Sequence, residues 1–522
     1  MIRQIDLEYI AQRVQPIKDL YTDLEHDLIA SIAKRIAKTN YITSSAAFEI
    51  EKLEQMRLLD TEAAAKIAAV AKKSRYMIEK LISDAGYFVL QLDEELYRKA
   101  YDLGVLTDEP IPLKTSPKLQ TIMRGAITNA QHTMNFTNSQ AHTSAQQAYY
   151  RVANKAYMET YAGTKSITAA IHDAVVDMAK AGITEARYIK TRESGKTFTR
   201  HDHIDVAVRR NIVTSVNQAN GELCLARSEE WGNNLVEVSK HVGERPTHAV
   251  WSGKIYAIVG EEYGEYGYYA NSRDVTGYGT AGGLKGVNCR HTFWIFIEGV
   301  STPTTYPAEW SDPAWQAEKY KESQAQRKYE REIRSLKREI AGLDAIGEDH
   351  GLQSMKLRNK QNELKSFISQ TGRTRRTNRE QVVEFNRSIA SKSTHAAKKL
   401  DRLIEEEYNI FKKQVHEEII NNYPLVVHQG QQDKHIIGTN NYIEGRSILT
   451  ADAQTLIDLY AGKSEPKRTN SGVWNNKETF THTDNIGFSV NKSGQTPTNV
   501  GTIHYSKKGV HIVPAKPIKD KR

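Results

Sequence analysis

From residue 5 to about residue 106 the chain repeats Ala, Ile, Val, Met and Leu at three- and four-residue spacing, most clearly in TEAAAKIAAVAKKSRYMIEKLISDAGYFVLQLDEELYRKA (61–100). That spacing puts the apolar side chains on one face of a helix. A helix of such length is stable in water only when that face is covered, so the stretch demands a body of packed helices. Asp60 and Thr61, followed by Glu62, are the expected cap of the long helix. The prolines of DEPIPLKTSPK (108–118) interrupt the pattern.

Residues 119–190 return to helix, with a polar face rich in Gln, Asn and Thr that suits either packing between copies or plain solvation. Short strand-like pieces follow, YIKT (188–191), LVEVS (235–239) and KIYAIV (254–259), which makes 190–300 a mixed block. From Trp315 to about Lys413 the chain is charged helix, in which Arg327, Arg331, Arg334 and Arg338, with Lys337, fall on one face. That stripe reads as a spacer whose arginines either grip DNA or an acidic surface, or are solvated among Glu partners. After Tyr423 the composition changes to short strands, small polar residues and the histidines His428, His435, His482, His504 and His511, with thirteen Lys and Arg against eight Asp and Glu over 425–522.

The expected organisation is therefore multidomain. A mainly α arm spans 1–110, a mixed α/β core 111–310 and a charged helical linker 311–420, followed by a small α+β C-terminal domain over 421–522. A net charge of +9 favours polyanionic neighbours, though it serves solubility equally well. Two cysteines, Cys224 and Cys289, are too few for a disulfide framework and fit folding in a reducing cytoplasm, although they remain able to pair or to ligate metal. No run reaches the roughly twenty apolar residues that span a bilayer, and the first residues lack the apolar core of a signal peptide, so no membrane is expected.

Two segments carry candidate chemistry. In the mixed block, His241, His248, Cys289 and His291 offer thiolate and imidazole, the preferred ligands of a structural zinc. The other reading is a packed turn, shaped by Asn288, Arg290 and glycines, with Trp251 beside it. The runs HIDVAVRRNIVTSVNQANGEL (203–223), VEVSKHVGERPTHAVWSGKIYAI (236–258) and GLKGVNCRH (283–291) resemble, in this order, the RRN, SxH, RPxHAxWxGK and GxNCRH boxes of phage minor capsid proteins related to the Mu F head-morphogenesis protein. The resemblance implies an assembly scaffold without catalysis in this block.

In the tail, KHIIGTNNY (434–442), GRS (445–447), KE (477–478), NIG (485–487) and KGVHIVPAKP (508–517) resemble the bacterial polymorphic toxin type 50 domain almost end to end. Such domains are predicted ribonucleases of the compact barnase/EndoU/colicin/RelE-like α+β class and are known as fusions to Mu F-like proteins. Residues 451–462 read as one amphipathic helix entered through Thr450, followed by strands broken at NKSGQ and SKKG. Metal-free RNA cleavage needs a base, an acid and a cation at the phosphorane. His435 and His511 fit the first two roles, and Arg446 and Lys477 the third. Ser447, Thr439 and Thr498 are hydrogen-bond donors to phosphate. HIIGT and VHIVP also read as strands in which a histidine merely faces an edge.

The expectation is thus a structural minor capsid protein of a tailed phage or prophage carrying a metal-independent endoribonuclease that requires no cofactor. The expected partners are the portal and other capsid proteins, phage DNA, RNA as substrate and an immunity protein. The places are the virion and, during assembly, the host cytoplasm. The alternative is a basic, portal-proximal DNA-binding assembly protein with a non-catalytic C-terminal module.

Overall fold

The computed structural model divides into two compact units, Met1–Ala397 and Lys398–Arg522. It describes residues 7–39, 44–107, 111–112, 114–182, 184–191, 196–382, 385–491 and 494–516. The chain before residue 7, and residues 108–110, 113 and 492–493 of the segments expected from sequence to turn, lie outside the described residues.

The first unit is built on long helices. Helix α1 (Leu7–Lys38) buries the stripe Ile10, Val14, Ile17, Tyr21, Leu24, Leu28, Ile32 and Ile36. This stripe packs in one core with α2 (Ser45–Asp102), α3 (Pro117–Tyr161) and α4 (Ile167–Ala181). The cap of α2 is Ser44, whose hydroxyl accepts from the Ala47 amide. Asp60 and Thr61 are mid-helix, because the apolar periodicity runs through them without a break. Asp60 instead pairs with His142 of α3 at 2.9 Å, and Thr61 donates to the Arg57 carbonyl at 3.2 Å. Part of the polar content of α3 is internal, since Asn138 accepts from the Tyr21 hydroxyl at 2.8 Å inside the bundle.

A hairpin of β1 (Thr184–Thr191) and β2 (Thr197–His203), containing the expected YIKT strand, leads into α5 (Ile204–Glu230). Then come β3 (Leu235–Val238), the helical turn α6 (Pro246–Ala249), β4 (Ile255–Ala257), β5 (Glu262–Gly264), β6 (Gly267–Tyr269), α7 (Ser272–Thr276) and β7 (Phe293–Ile295). The strands form an antiparallel sheet in the order β4-β3-β7 and a separate β5-β6 hairpin. Val236, Val238, Phe293 and Ile295 share a second core with Tyr97, Trp231 and Cys289.

Helices α8 (Pro313–Ala345) and α9 (Gly351–Thr371) follow, and α10 (Arg387–Asn422) runs from the first unit into the second. The charged stretch is not an open spacer. Arg338 is buried, its Nη1 3.2 and 3.3 Å from the ring nitrogens of His203, and its Nε lies 3.9 Å from the fully buried Glu25. Burial alone would raise the Glu25 pKa, but the charges of His203 and Arg338 hold it below the usual carboxylate range. Arg334 turns inward to the Arg379 carbonyl, Arg327 is half-buried, and Arg331 alone of the four is exposed. The arginines recur with the helical period, but burial of Arg338 and partial burial of Arg327 and Arg334 turn most of that face away from solvent.

The second unit contains α11 (Gln429–Gln432), β8 (Ile448–Leu449), α12 (Ala453–Tyr460), β9 (Glu465–Arg468), β10 (Trp474–Thr481), β11 (Gly487–Asn491), β12 (Gly494–Thr498), β13 (Val500–Ser506) and β14 (Gly509–Pro514). Its antiparallel sheets run β14-β13-β10-β9 and β12-β11-β8. Asp452, not Thr450, caps α12, because its carboxylate accepts from the Thr455 amide at 2.8 Å while the Thr450 amide is bound to the Ile486 carbonyl. The later part of α10 belongs to this core. Val415 and Ile419 pack with Leu456, Ile457, Phe480 and Ile503, and His416 pairs with the buried Glu478 at 3.0 Å.

Two outcomes follow. Arg338→Met, which leaves Glu25 buried without its cation, should cost about 3–5 kcal/mol in urea unfolding of the body, whereas the exposed Arg331→Met should change it by less than about 1 kcal/mol. A fragment of residues 398–522 should melt cooperatively by circular dichroism. One of residues 424–522, stripped of Val415 and Ile419, should melt far lower; equal melting of the two would contradict the packing described.

Candidate functional site

In the first unit, β3 and β7 pair antiparallel, with Val238 opposite Phe293. The Ser239 amide donates to the Thr292 carbonyl at 2.9 Å, so His291 enters the sheet beside the strand that leads to α6. Pro246 starts α6 and places His248 inward. The loop 277–292 folds tightly enough that a Cβ at Gly283 would sit 2.0 Å from the Gly277 carbonyl oxygen, and one at Gly286 2.5 Å from that of Thr280. Only glycine fits those approaches. Lys285 is buried, its ammonium donating to Asn217 at 2.9 Å and Thr292 at 2.8 Å, and burial lowers its pKa to about 8.

Three of the four sequence-predicted ligands converge there. Nδ1 of His248, Nδ1 of His291 and Sγ of Cys289 are all buried and within 4.8 Å of one another. The Nε2 of His248 donates to the Gly282 carbonyl at 2.9 Å, and the Nε2 of His291 meets the buried Glu244 carboxylate at 2.8 Å. His241 packs against His291 in a tilted pair, ring centroids 4.5 Å apart, with its Nδ1 on the Val242 carbonyl at 3.2 Å, and supplies no atom to the trio. Trp251 packs against both rings of the pair, as the packed-turn reading expected. Glu244 escaped sequence reasoning, since a single carboxylate between Gly243 and Arg245 carries no distinguishing pattern. Cys224 and Cys289 are both free.

In the second unit the sheet register builds the site. Lys477 of β10 faces His504 of β13, and His504 faces His511 of β14, so the three share one side of the sheet. Glu478, Ile503 and Ile512 alternate onto the opposite, buried side. Glu478 there accepts from Tyr505 and from the Gly462 amide at 2.8 Å, a structural role. Above the polar face, Gln432 bonds both backbone groups of Ile512, accepting at 2.7 Å and donating at 3.1 Å, which clamps the 429–435 segment to the edge strand. His435 thereby stacks over His511 at 6.1 Å, while His511 and His504 are 4.7 Å apart. HIIGT is not a strand: His435 ends a 3-10 turn at 433–435, whereas VHIVP forms β14.

His435 donates from Nδ1 to the Ser447 carbonyl at 2.7 Å, which leaves Nε2 as an acceptor. Burial lowers the pKa of all three rings, helped by His511 and Lys477 at His504 (to about 3), by His435 and His428 at His511 (to about 4), and by Arg446 at His435. Lys467, which donates to Thr502 at 3.2 Å, adds positive charge that sequence matching did not single out, and Lys434, at the start of the run 434–442, adds more. Arg446 is exposed, and Ser447 accepts from the Val490 amide at 3.3 Å. Thr439 and Thr498 differ from expectation. Thr439 donates to the carbonyls of its own turn, 2.7 and 2.9 Å away, and Thr498 to Ala515 at 2.7 Å, so both hydroxyls brace backbone.

A helical body assembled for packing, together with a separate small unit bearing a cationic histidine face, defines a structural protein that carries a second, chemically equipped module. The chain belongs to the phage minor capsid protein 2 family, whose model matches residues 5–369, and the bacterial toxin 50 model matches residues 427–514. A "Structural protein" of Lactococcus phage LL-H is 23% identical over 248 residues, 46% of this chain. The match spans 63% of that relative's length. Among the described residues no helix is long and apolar enough to cross a membrane.

The depressed histidines predict a pH response. An unfolded imidazole titrates near 6.5, so between that value and about 4 the unfolded module binds more protons than the folded one. Stability should be complete above pH 6.5 and decline as pH falls toward 4. His504→Gln together with His511→Gln should flatten the melting temperature against pH; a profile as steep as wild type would refute the assignment.

Proposed function

We propose that the C-terminal module is a metal-independent endoribonuclease carried by a minor capsid protein near the portal of a tailed phage or prophage head. The supporting observation is the placing of His435, His504, His511 and Lys477 over one sheet face, with the free nitrogen of His435 fixed by Ser447. In this reading His435 Nε2 takes the proton of an RNA 2′-hydroxyl. The O2′–P bond forms as the P–O5′ bond breaks, leaving a 2′,3′-cyclic phosphate. His511 passes a proton to the departing 5′-oxygen, having gained it when the anionic phosphate enters, because a nearby negative charge favours imidazolium. Lys477 and Arg446 stabilise the phosphorane, and Ser447 donates to one of its oxygens. The partners in this reading are portal and capsid proteins, RNA, and an immunity protein that covers the cationic face. Host cytoplasm is the place of assembly. The DNA-binding alternative keeps only Arg331 of its proposed stripe open to a phosphate backbone.

Incubating the full chain with RNA and a chelator tests the proposal. Cleavage should yield cyclic phosphate ends, and His435→Ala or His511→Ala should slow it by roughly 10²–10⁴-fold, with Lys477→Ala slowing it by about 10²–10³-fold. Retained but uncut RNA would favour the non-catalytic binding module instead.

A further inference from the structure

We propose that His248, Cys289 and His291 bind one divalent cation of the zinc class, which staples the loop 277–292 to the helical turn α6. The donor separations carry the case. The two Nδ1 atoms are 3.3 Å apart, and the Cys289 sulfur stands 3.9 Å from His248 Nδ1 and 3.7 Å from His291 Nδ1. A tetrahedral zinc with ordinary bond lengths sets its nitrogen ligands about 3.3 Å apart and sulfur about 3.6 Å from nitrogen. All three edges of the triangle fall close to those values.

The outer hydrogen bonds select the same arrangement. The Gly282 carbonyl accepts only, so His248 Nε2 carries the hydrogen and its Nδ1 presents a lone pair toward the trio. Glu244 holds Nε2 of His291 in the same manner, the carboxylate-histidine pairing that orients metal ligands. Two facing lone pairs repel unless a cation or a proton stands between them. A shared proton would join the two rings but gives the sulfur no reason to lie near both. Three protein donors leave one tetrahedral position for water.

The loop gains most from such a staple. It contains no strand, and α7 ends at its start, while Lys285 and Asn288 hold positive φ angles of 60° and 55°. A cation would join its last residues to a segment more than thirty residues upstream, next to the sheet that organises the mixed block.

Metal analysis of the full chain purified without chelator should find about one zinc per protein. After stripping under reducing conditions, titration with cobalt(II) should give tetrahedral ligand-field bands and a thiolate-to-cobalt charge-transfer band, saturating at one equivalent. Cys289→Ser should lose the charge-transfer band, and His241→Ala should keep both band and stoichiometry. A folded wild-type chain that develops no thiolate band with cobalt would overturn the proposal without recourse to any variant. So would a band that survives Cys289→Ser, or one that disappears in a folded His241→Ala.

Discussion

Glu25 has no exposed surface, and the helical body can hold its charge only because other charges are folded in with it. His203 at the end of β2 and Arg338 of α8 supply them, and Asp205 and Lys18, themselves 3.6 Å apart and buried, extend the cluster. Three parts of the chain that are distant in sequence, α1, the junction of β2 with α5, and α8, are thereby required to meet at one place. Apolar contact can slide by a turn of helix at modest cost. A buried carboxylate left without its cation cannot, so the cluster sets the register of the packing around it. It also accounts for the burial of Arg338 in a helix that is highly charged in sequence.

The same rule shapes the histidines of each unit. In the body, His248 and His291 are enclosed beside Trp251 and each is held through Nε2. In the smaller unit, His435, His504 and His511 crowd together beneath lysines. Burial and neighbouring positive charge keep imidazoles neutral near pH 7, and a neutral imidazole is both a base and a ligand. What separates the two places is access and company. The first is sealed and contains a sulfur; the second lies on a half-buried sheet face beside lysines.

Much of the site was legible in local pattern. Lys477, His435 and His511 stood inside motif-like runs, and Cys289 and His291 in a glycine-rich approach, because tight turns and close backbone contacts demand particular residues. His504 was passed over since a lone histidine in a strand looks ordinary until the register sets it between Lys477 and His511. Glu244, Lys467 and the clamp by Gln432 were hidden for the same reason: each acts on a partner outside its own segment. The apolar spacing of Phe411, Val415 and Ile419 was a signal for where the second unit gathers helix, overlooked among charges.

Periodicity, turn residues and composition are properties of neighbouring positions, and by themselves they determined that this chain makes long helices, a mixed block and a small strand-rich module. Which face of α8 turns inward, which histidines meet, and how much of α10 joins the second core were decided only in three dimensions. Those outcomes depend on desolvating charged and polar groups against partners tens to hundreds of residues away, and a local pattern contains no record of the partner.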